Sequence, residues 1–370
     1  MANFVDYSYS SSDSGESDYS GKSQCLDFSY AMINSESLSH NLEAIICESG
    51  SHLKRPDYYE SMILQHNRLT TLPDSVAFFI NIKMLNLSGN NITFIPDSIL
   101  MLKNLTSLIA KNNRLEDDGI PKNLGICKTL REVNFSGNTL TRFPEQLLEL
   151  DKLKFLYVGG NQISVIPNTI GRLQRLKVLY LGGNCLTEIP AEVGQLSRLQ
   201  ALVLSENQLE NLPSTIIQLK KLRTLLLHKN QLTTLPPQIV ALKELMELSL
   251  RDNPLVVRFV RDLTYNPPTL LELSGRVIKS NCVPYNTWEI PRHLATYLGS
   301  AHQCVNPKCQ GVYFDSRVEH VKFVDFCGKY RIPLLQYLCS PNCTKNPVSV
   351  ECCPLDSDSD SGRLKKVLLG

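Results

Sequence analysis

The chain has 370 residues, and 42% of them are hydrophobic, which is enough to build a sizeable core. Its 38 basic and 36 acidic residues leave a net charge of +2 with no long basic run, so we expect no nucleic-acid partner. The first residues contain no apolar signal-peptide core, and no segment has the ~18 apolar residues of a membrane-spanning helix, which predicts a soluble, cytoplasmic protein without a membrane partner.

The chain before residue 59 divides into two parts. Residues 1–36 are rich in Ser, Tyr, Asp and Gly and cannot assemble a core, so we predict a disordered tail. Residues 37–58 place Leu38, Leu42 and Ile45 at helical spacing. A helix there would cover the open end of the repeats that follow, and we interpret residues 37–58 as an N-terminal cap.

A repeated frame, L-x-x-L-x-L-x-x-N-x-L, dominates residues 59–262. Its nine asparagines are spaced by 23 residues except for one step of 25, and they are Asn67, Asn90, Asn113, Asn138, Asn161, Asn184, Asn207, Asn230 and Asn253. This period is typical of leucine-rich repeats, in which each repeat contributes a short strand and stacks on its neighbour. We predict an α/β solenoid of about nine such repeats, whose strands line a concave face. After residue 255 the segment 256–263 has the apolar spacing of a helix that would seal the C-terminal end.

One group of apolar residues is predicted to lie on the concave face, because side chains alternate along each strand. We call this group the concave patch, and it consists of Phe155, Tyr157, Val178, Tyr180, Val203 and Leu226. An apolar patch with a polar rim is a marker of a protein-binding site, so we predict that it contacts a target protein. The alternative is that strands simply favour aromatic and branched residues.

Two further expectations concern this face. Gly159, Gly160, Gly182 and Gly183 flank the concave patch and would let the backbone of a partner approach closely. No nucleophile and base fall together on the strands, and His228 beside Glu206 or Arg251 is better explained as solvated surface charge. We therefore expect no enzymatic activity.

Residues 263–300 are predicted to contain two short helices. Thr269 stands as an N-cap before an apolar helix over 270–278, and Pro291 begins a second helix over 292–298. This pair resembles a SOCS box, the module by which substrate receptors hold elongin C and a cullin. The elongin-binding pattern is matched by Thr269, Leu270, Ser274 and Ile278, and the cullin-docking pattern by Ile290, Pro291, Leu294, Tyr297 and Leu298; Leu273 is expected to join the elongin contact.

The SOCS-box resemblance implies a substrate receptor. Such a protein binds elongin B/C and a cullin and brings a target to a cullin-RING ubiquitin ligase. The alternative is an intracellular scaffold for phosphatase or small-GTPase signalling, in which the two helices would be a buried cap on the solenoid.

Residues 301–346 contain two cysteine pairs. Cys304 with Cys309, and Cys339 with Cys343, offer four thiolates at spacings that suit one tetrahedral zinc ion. We predict a small structural zinc module, with free buried thiols as the alternative and Cys327 as a possible substitute ligand. Residues 347–370 form an acidic tail, and its apolar end at 364–369 is a candidate for packing back on the body.

From about residue 60 to the end, these features together resemble a group of intracellular leucine-rich-repeat proteins. The resemblance is carried by the 23-residue repeats, the SOCS-box-like segment and the cysteine pairs. It implies a protein that binds other proteins and does no chemistry itself.

Overall fold

The computed structural model describes residues 24–47, 55–255, 267–286, 288–306, 309, 311–326, 330–344 and 366–368. Its main feature is a parallel sheet of eleven three-residue strands. These are β1 (Cys25–Asp27), β2 (Ser61–Ile63), β3 (Met84–Asn86), β4 (Ser107–Ile109), β5 (Glu132–Asn134), β6 (Phe155–Tyr157), β7 (Val178–Tyr180), β8 (Ala201–Val203), β9 (Thr224–Leu226), β10 (Glu247–Ser249) and β15 (Lys366–Leu368). The strands follow chain order across the sheet, as expected for a stacked solenoid.

Each repeat buries its leucines and satisfies its own backbone. In one repeat Leu153, Leu156 and Val158 are fully buried. The amide of Asn161 donates to the carbonyls of Phe135 and Val158, both at 3.0 Å, and its Oδ1 accepts from the Leu140 N–H at 3.1 Å. The asparagine thus joins two repeats where the chain leaves the strand.

The convex side is built from short 3₁₀ helices rather than α-helices. They span Pro56–Tyr58, Asp74–Phe78, Asp97–Met101, Asp117–Gly119, Leu124–Ile126, Glu145–Glu149, Asn168–Arg172, Ala191–Gln195, Ser214–Gln218 and Pro237–Ala241. In seven repeats a proline, for example Pro167, comes directly before the helix and favours an extended turn into it. One buried apolar side chain, such as Ile170, then anchors the helix to the core.

The N-terminal end of the solenoid begins earlier than predicted. Within the segment 1–36, interpreted as a disordered tail, β1 pairs in parallel with β2. Leu26 is buried, and Phe28 and Ile33 pack against the same core, so these side chains supply the burial that the composition of the segment did not suggest. Helix α1 (Ser35–Cys47) follows and buries Leu38, Leu42 and Ile45. It therefore covers the open end of the first repeat.

The C-terminal end of the sheet is extended by a strand from the tail. Lys366–Leu368, inside the segment interpreted as acidic tail, form β15 and pair in parallel with β10. The strand continues the ladder beyond the last repeat and satisfies an edge that would otherwise be open. The helix predicted over 256–263 lies outside the described residues.

A small module follows the solenoid. It contains α2 (Leu270–Ser280), α3 (Arg292–Gly299), a hairpin of β11 (His302–Gln303) with β12 (Val312–Tyr313), a second hairpin of β13 (Val318–Phe326) with β14 (Tyr330–Leu338), and a 3₁₀ helix at Pro341–Thr344. The second hairpin joins the solenoid at Leu334, which is buried in the repeat core. The Leu235 N–H donates to the Pro333 carbonyl at 3.0 Å, and the Leu335 N–H donates to the Leu235 carbonyl at 2.9 Å.

None of the helices in the described part of the chain has the length and apolarity needed to span a bilayer.

Candidate functional site

The concave patch forms where the sequence places it, on four consecutive strands. Parallel pairing sets Phe155 beside Val178 and Tyr157 beside Tyr180, whose rings are 6.3 Å apart between centroids. These four side chains and Leu226 are half-buried, whereas Val203 is buried and offers little surface. Burial, and then the nearby Glu132 carboxylate, raise the pKa of Tyr157, so its hydroxyl stays neutral and can donate a hydrogen bond.

The glycines beside the patch have a different role from the one predicted. A Cβ on Gly159 would overlap Cε1 of Tyr180 and lie 2.6 Å from the Gly182 carbonyl oxygen. The Tyr180 ring therefore fills the space over Gly159, and no partner backbone can approach there. Gly160 and Gly183 instead have φ near +64° and +68°, a turn conformation that favours glycine.

Replacing Gly159 with alanine is expected to displace the Tyr180 ring and destabilise the solenoid by about 1–3 kcal/mol, as overpacking does. Urea unfolding would measure the loss. Gly182→Ala is the matched control, because its Cβ would come no closer than 3.0 Å to the Ser205 hydroxyl oxygen and 3.4 Å to Val203 Cγ1. Equal stability of the two variants would show that Tyr180 does not rest on Gly159.

Helix α2 has one exposed apolar face and one packed face. The hydroxyl of Thr269 accepts from the Glu272 N–H at 3.2 Å, which caps the helix as predicted. The exposed residues include Leu270, Leu271, Leu273, Ser274 and Val277. On the packed face, Gly275 lies against Phe314, and a Cβ there would be 3.1 Å from the ring. Gly275, a weak helix former, is thus the residue that lets α2 approach the first hairpin closely.

A buried ion pair holds α2 to the cysteine-rich part of the module. Glu272 is 1% exposed and accepts from the N–H groups of Phe314 (3.1 Å) and Ser316 (2.8 Å). Arg276 donates to Glu272 at 2.6 Å and to the Cys339 carbonyl at 2.7 Å. Burial would raise the pKa of Glu272, but the hydrogen bonds from Arg276 and the two backbone N–H groups lower it overall.

The ion pair was missed at the level of sequence. The spacing of Glu272 and Arg276, four residues apart on a predicted helix, was the available signal.

Helix α3 carries the residues predicted to contact a cullin, and part of it is packed inside the module. Tyr297 stacks on Phe314 with ring centroids 4.5 Å apart, and Leu298 is buried against Val312 and Phe314. Leu298 is therefore unable to touch a partner directly, because it forms the core between α2, α3 and the first hairpin. Ile290 and Leu294 are half-buried, and Pro291 is exposed.

The four cysteines predicted as metal ligands come together, and we call them the cysteine cluster: Cys304, Cys309, Cys339 and Cys343. Cys304 follows β11, Cys339 follows β14, and Cys343 lies in the last 3₁₀ helix. Their sulfur atoms all lie within 4.8 Å of one another. Cys339 Sγ is 3.4 Å from Cys309 Sγ and 3.6 Å from Cys343 Sγ, too far for a disulfide.

The surroundings of the cysteine cluster act in opposite directions on the ionisation of its thiols. Gly311 donates its N–H to Cys309 Sγ at 3.3 Å, and a Cβ there would lie 2.8 Å from Cys339 Sγ. Burial raises the pKa of Cys304 and Cys339; it would also raise that of Cys343, but hydrogen bonds from Ser340 and the neighbouring cysteines lower it overall. The four sulfurs can hold one metal ion, whose charge would offset that of the thiolates. Cys327, the possible substitute ligand, lies outside the described residues.

Comparison with known proteins places this architecture in a family. Models described as "Leucine-rich repeat region" and "Leucine rich repeat" match residues 168–265 and 60–115. Leucine-rich repeat-containing protein 58 of Xenopus laevis is 59% identical over 338 residues, which are 90% of this chain and 96% of that protein. The chain belongs to the leucine-rich repeat-containing protein 58 family.

A second relative and a solved structure are also similar to parts of this chain. The human leucine-rich repeat-containing protein 58 is 66% identical over 88 residues, about 24% of each chain. Among solved structures, a TDR receptor matches with a TM-score of 0.50 and 30% identity, over 53% of this chain and 35% of that one. These matches are consistent with a protein-interaction role for a member of the leucine-rich repeat-containing protein 58 family, and none of them indicates a catalytic family.

Proposed function

We propose that this chain is the substrate-recognition subunit of an elongin/cullin-RING ubiquitin ligase. The concave patch would hold a target protein, and residues 269–298 would hold elongin B/C and a cullin. The proposal depends mainly on one observation: the Leu270 side chain of α2 is 81% exposed. A helix that served only to cap the solenoid would turn this leucine inward.

The exposed face of α2 has the character of a partner-binding surface. Leu271, Leu273 and Val277 accompany Leu270 in solvent, and an amphipathic helix can place such a face in an apolar groove. Burying one such side chain is worth roughly 1.5–3 kcal/mol, so covering several of them would contribute substantially to binding. Elongin C is the proposed partner because the exposed Thr269, Leu270 and Ser274 match the elongin pattern.

Contacts on the packed face of α2 support a fixed orientation of the α2 surface relative to the concave patch. Arg276 links the helix to Cys339 at the end of β14, and Leu334 on the same strand is buried in the solenoid core. A rigid connection of this kind suits a receptor, whose contribution to ubiquitination is to hold target and ligase near one another.

We further propose that the cysteine cluster holds structural zinc. Four sulfurs at about 2.3 Å from one ion would stand about 3.8 Å apart. The two sulfur–sulfur distances of 3.4 and 3.6 Å are close to that value. Zinc would supply no catalysis here; it would fix the ends of the two hairpins.

Replacing Leu270 with glutamate is expected to abolish capture of elongin B/C while leaving the chain folded, because the side chain is in solvent until a partner covers it. Co-purification with elongin B/C would measure capture, and circular dichroism would check folding. Met101→Glu is the matched control, since Met101 is an exposed apolar residue, 57% accessible, on the convex side of the solenoid.

Two results would count against the receptor. If folded wild-type chain fails to capture elongin B/C, the alternative of a non-enzymatic scaffold is favoured. If Leu270→Glu unfolds the module, the helix is a cap.

A further inference from the structure

A row of basic side chains borders the concave patch. Arg131, Lys154 and Lys177 each come one residue before a strand, β5, β6 and β7. The Lys154 N–H donates to the Arg131 carbonyl and the Lys177 N–H to the Lys154 carbonyl, both at 2.7 Å. The three residues therefore occupy consecutive rungs of the sheet, about 4.8 Å apart. We call them the basic row.

The basic row lacks the acidic partners that the same position has elsewhere in the solenoid. Lys83 pairs with Glu60 at 2.7 Å, and Arg223 pairs with Glu244 at 3.5 Å. Within the part of the chain that the structure describes, Arg131, Lys154 and Lys177 form no ion pair. Like charges on neighbouring strands repel, so the row lowers stability unless something negative covers it.

One carboxylate lies beside the basic row without neutralising it. Glu132 follows Arg131 in the chain, and its Oε2 accepts from the Ser107 hydroxyl at 2.9 Å. Glu132 stands beside Phe155 in the parallel register, so it lies on the patch side of the strands. A bound acidic group is thus favoured over the basic row and disfavoured next to Glu132, which fixes where each part of a ligand would lie.

We propose that the basic row and the concave patch together bind an extended acidic segment of the target protein. Carboxylates of the segment contact Arg131, Lys154 and Lys177, and its aromatic or branched side chains lie on Phe155, Tyr157 and Val178. An extended chain places alternate side chains about 6.6 Å apart, so two carboxylates on alternate residues can contact different members of the row, which is about 10 Å long. This inference rests on the proposed function and adds the chemistry of the target.

A protein segment fits the surface better than a nucleic acid does. The positions that flank the basic row are the neutral Thr106 and Gln200, so only three backbone phosphates could be neutralised in line. A few charged contacts beside an apolar patch are typical of peptide recognition. Nucleic-acid affinity depends instead on many phosphate contacts.

The proposal is tested by selecting binders from a displayed random-peptide library, with the full-length chain immobilised as the target. The enriched peptides should combine Asp or Glu with aromatic or branched residues, and their affinity should fall as salt rises. Individual peptides would then be measured by fluorescence anisotropy against the double variant Lys154→Glu with Lys177→Glu. We expect binding at least about tenfold weaker, because two attractive contacts become repulsive.

The matched control is Lys152→Glu with Arg175→Glu. Both residues are exposed in the turns just before β6 and β7, and the change in net charge is the same. We expect less than about a twofold change, because neither residue lies in the basic row. Equal melting temperatures of the variants would show that folding is retained.

Three results would overturn the proposal: enriched peptides without acidic residues, equal binding to wild type and to the Lys154/Lys177 variant, or no enrichment at all. The selection contains no elongin, so its failure would leave the elongin result standing. Conversely, selection of acidic peptides by a chain that captures no elongin would support the concave site within a scaffold.

Discussion

Replacing Glu272 with glutamine should release α2 from the cysteine-rich part of the module. The substitution removes the negative charge that pairs with Arg276. It also replaces one accepting oxygen by an NH₂ donor, so one of the N–H groups of Phe314 and Ser316 would lose its acceptor. Breaking a buried pair from one side costs about 3–5 kcal/mol. Helix α2 has 11 residues, and isolated helices of that length are marginal in water, so the detached helix should unfold.

Limited trypsin digestion would measure this release, because Lys279 lies in α2 and cannot be cleaved while the helix is formed. Opening that is about 3 kcal/mol easier should speed cleavage about 100-fold when reclosing is fast. Glu289→Gln is the control, since Glu289 is an exposed carboxylate whose hydrogen bonds among the described residues go to Asn286 in the same turn. Unchanged cleavage in Glu272→Gln would contradict a stabilising role for the pair.

The pH dependence of unfolding, followed by circular dichroism because trypsin is inactive in acid, gives a second check on Glu272. Its pKa is lowered in the folded chain, so the unfolded state binds the proton more readily. The stabilisation is therefore complete above the unfolded value of about 4.5 and is lost as pH falls through the folded pKa. Wild type should resemble Glu272→Gln only in acid.

Replacing Cys339 with serine should abolish metal binding and loosen the whole module. The Cys339 thiol is a proposed metal ligand, and the Cys339 carbonyl accepts a hydrogen bond from Arg276. Loss of the metal would therefore weaken both the cysteine cluster and the attachment of α2. Structural zinc sites in small domains contribute about 10–16 kcal/mol of apparent binding energy, which is also folding energy. We expect about one zinc per wild-type chain by elemental analysis, close to none in the variant, and faster cleavage at Lys279.

Cys282→Ser is the matched control for that change. Cys282 lies just after α2 in the same module, is exposed, and is outside the cysteine cluster. The variant should keep its zinc and its resistance to trypsin. A structural metal site would be contradicted if the wild-type chain is purified without metal and a strong chelator does not change its resistance to trypsin.

The solenoid could be predicted from the sequence because its apolar residues are closely spaced and recur with a fixed period. The frame leucines of each repeat are separated by a few residues, and the same spacing recurs after 23 residues, so strand positions such as Phe155–Tyr157 follow directly. The role of the frame asparagine follows as well, since a chain that leaves a strand exposes backbone groups that an amide can satisfy.

Features outside this frame depended on contacts that the sequence does not display. Strand β1 has no frame asparagine, and its pairing with β2 joins residues about 36 positions apart, as Cys25 with Ser61. The Glu272 site likewise draws two of its donors from Phe314 and Ser316, more than 40 residues later. The packing of Tyr180 over Gly159 is a shape match between neighbouring repeats, which composition alone does not reveal.

The two halves of the SOCS-box resemblance have different structural settings. Leu270 and Leu273 are in solvent, as a docking surface requires, whereas Leu298 is buried within the module. A sequence pattern records which residues recur, and it does not separate those that touch a partner from those that hold the helix in place. The exposed half is therefore the part on which the proposed function depends.

Hydrogen exchange of the full-length chain, measured with and without elongin B/C, tests the central proposal most directly. The receptor account predicts strong added protection of the amides of α2, because the exposed face at Leu270, Leu273 and Val277 becomes covered and the helix opens less often. The solenoid amides should keep their rates. No change in α2, with elongin B/C present in excess, would contradict the account.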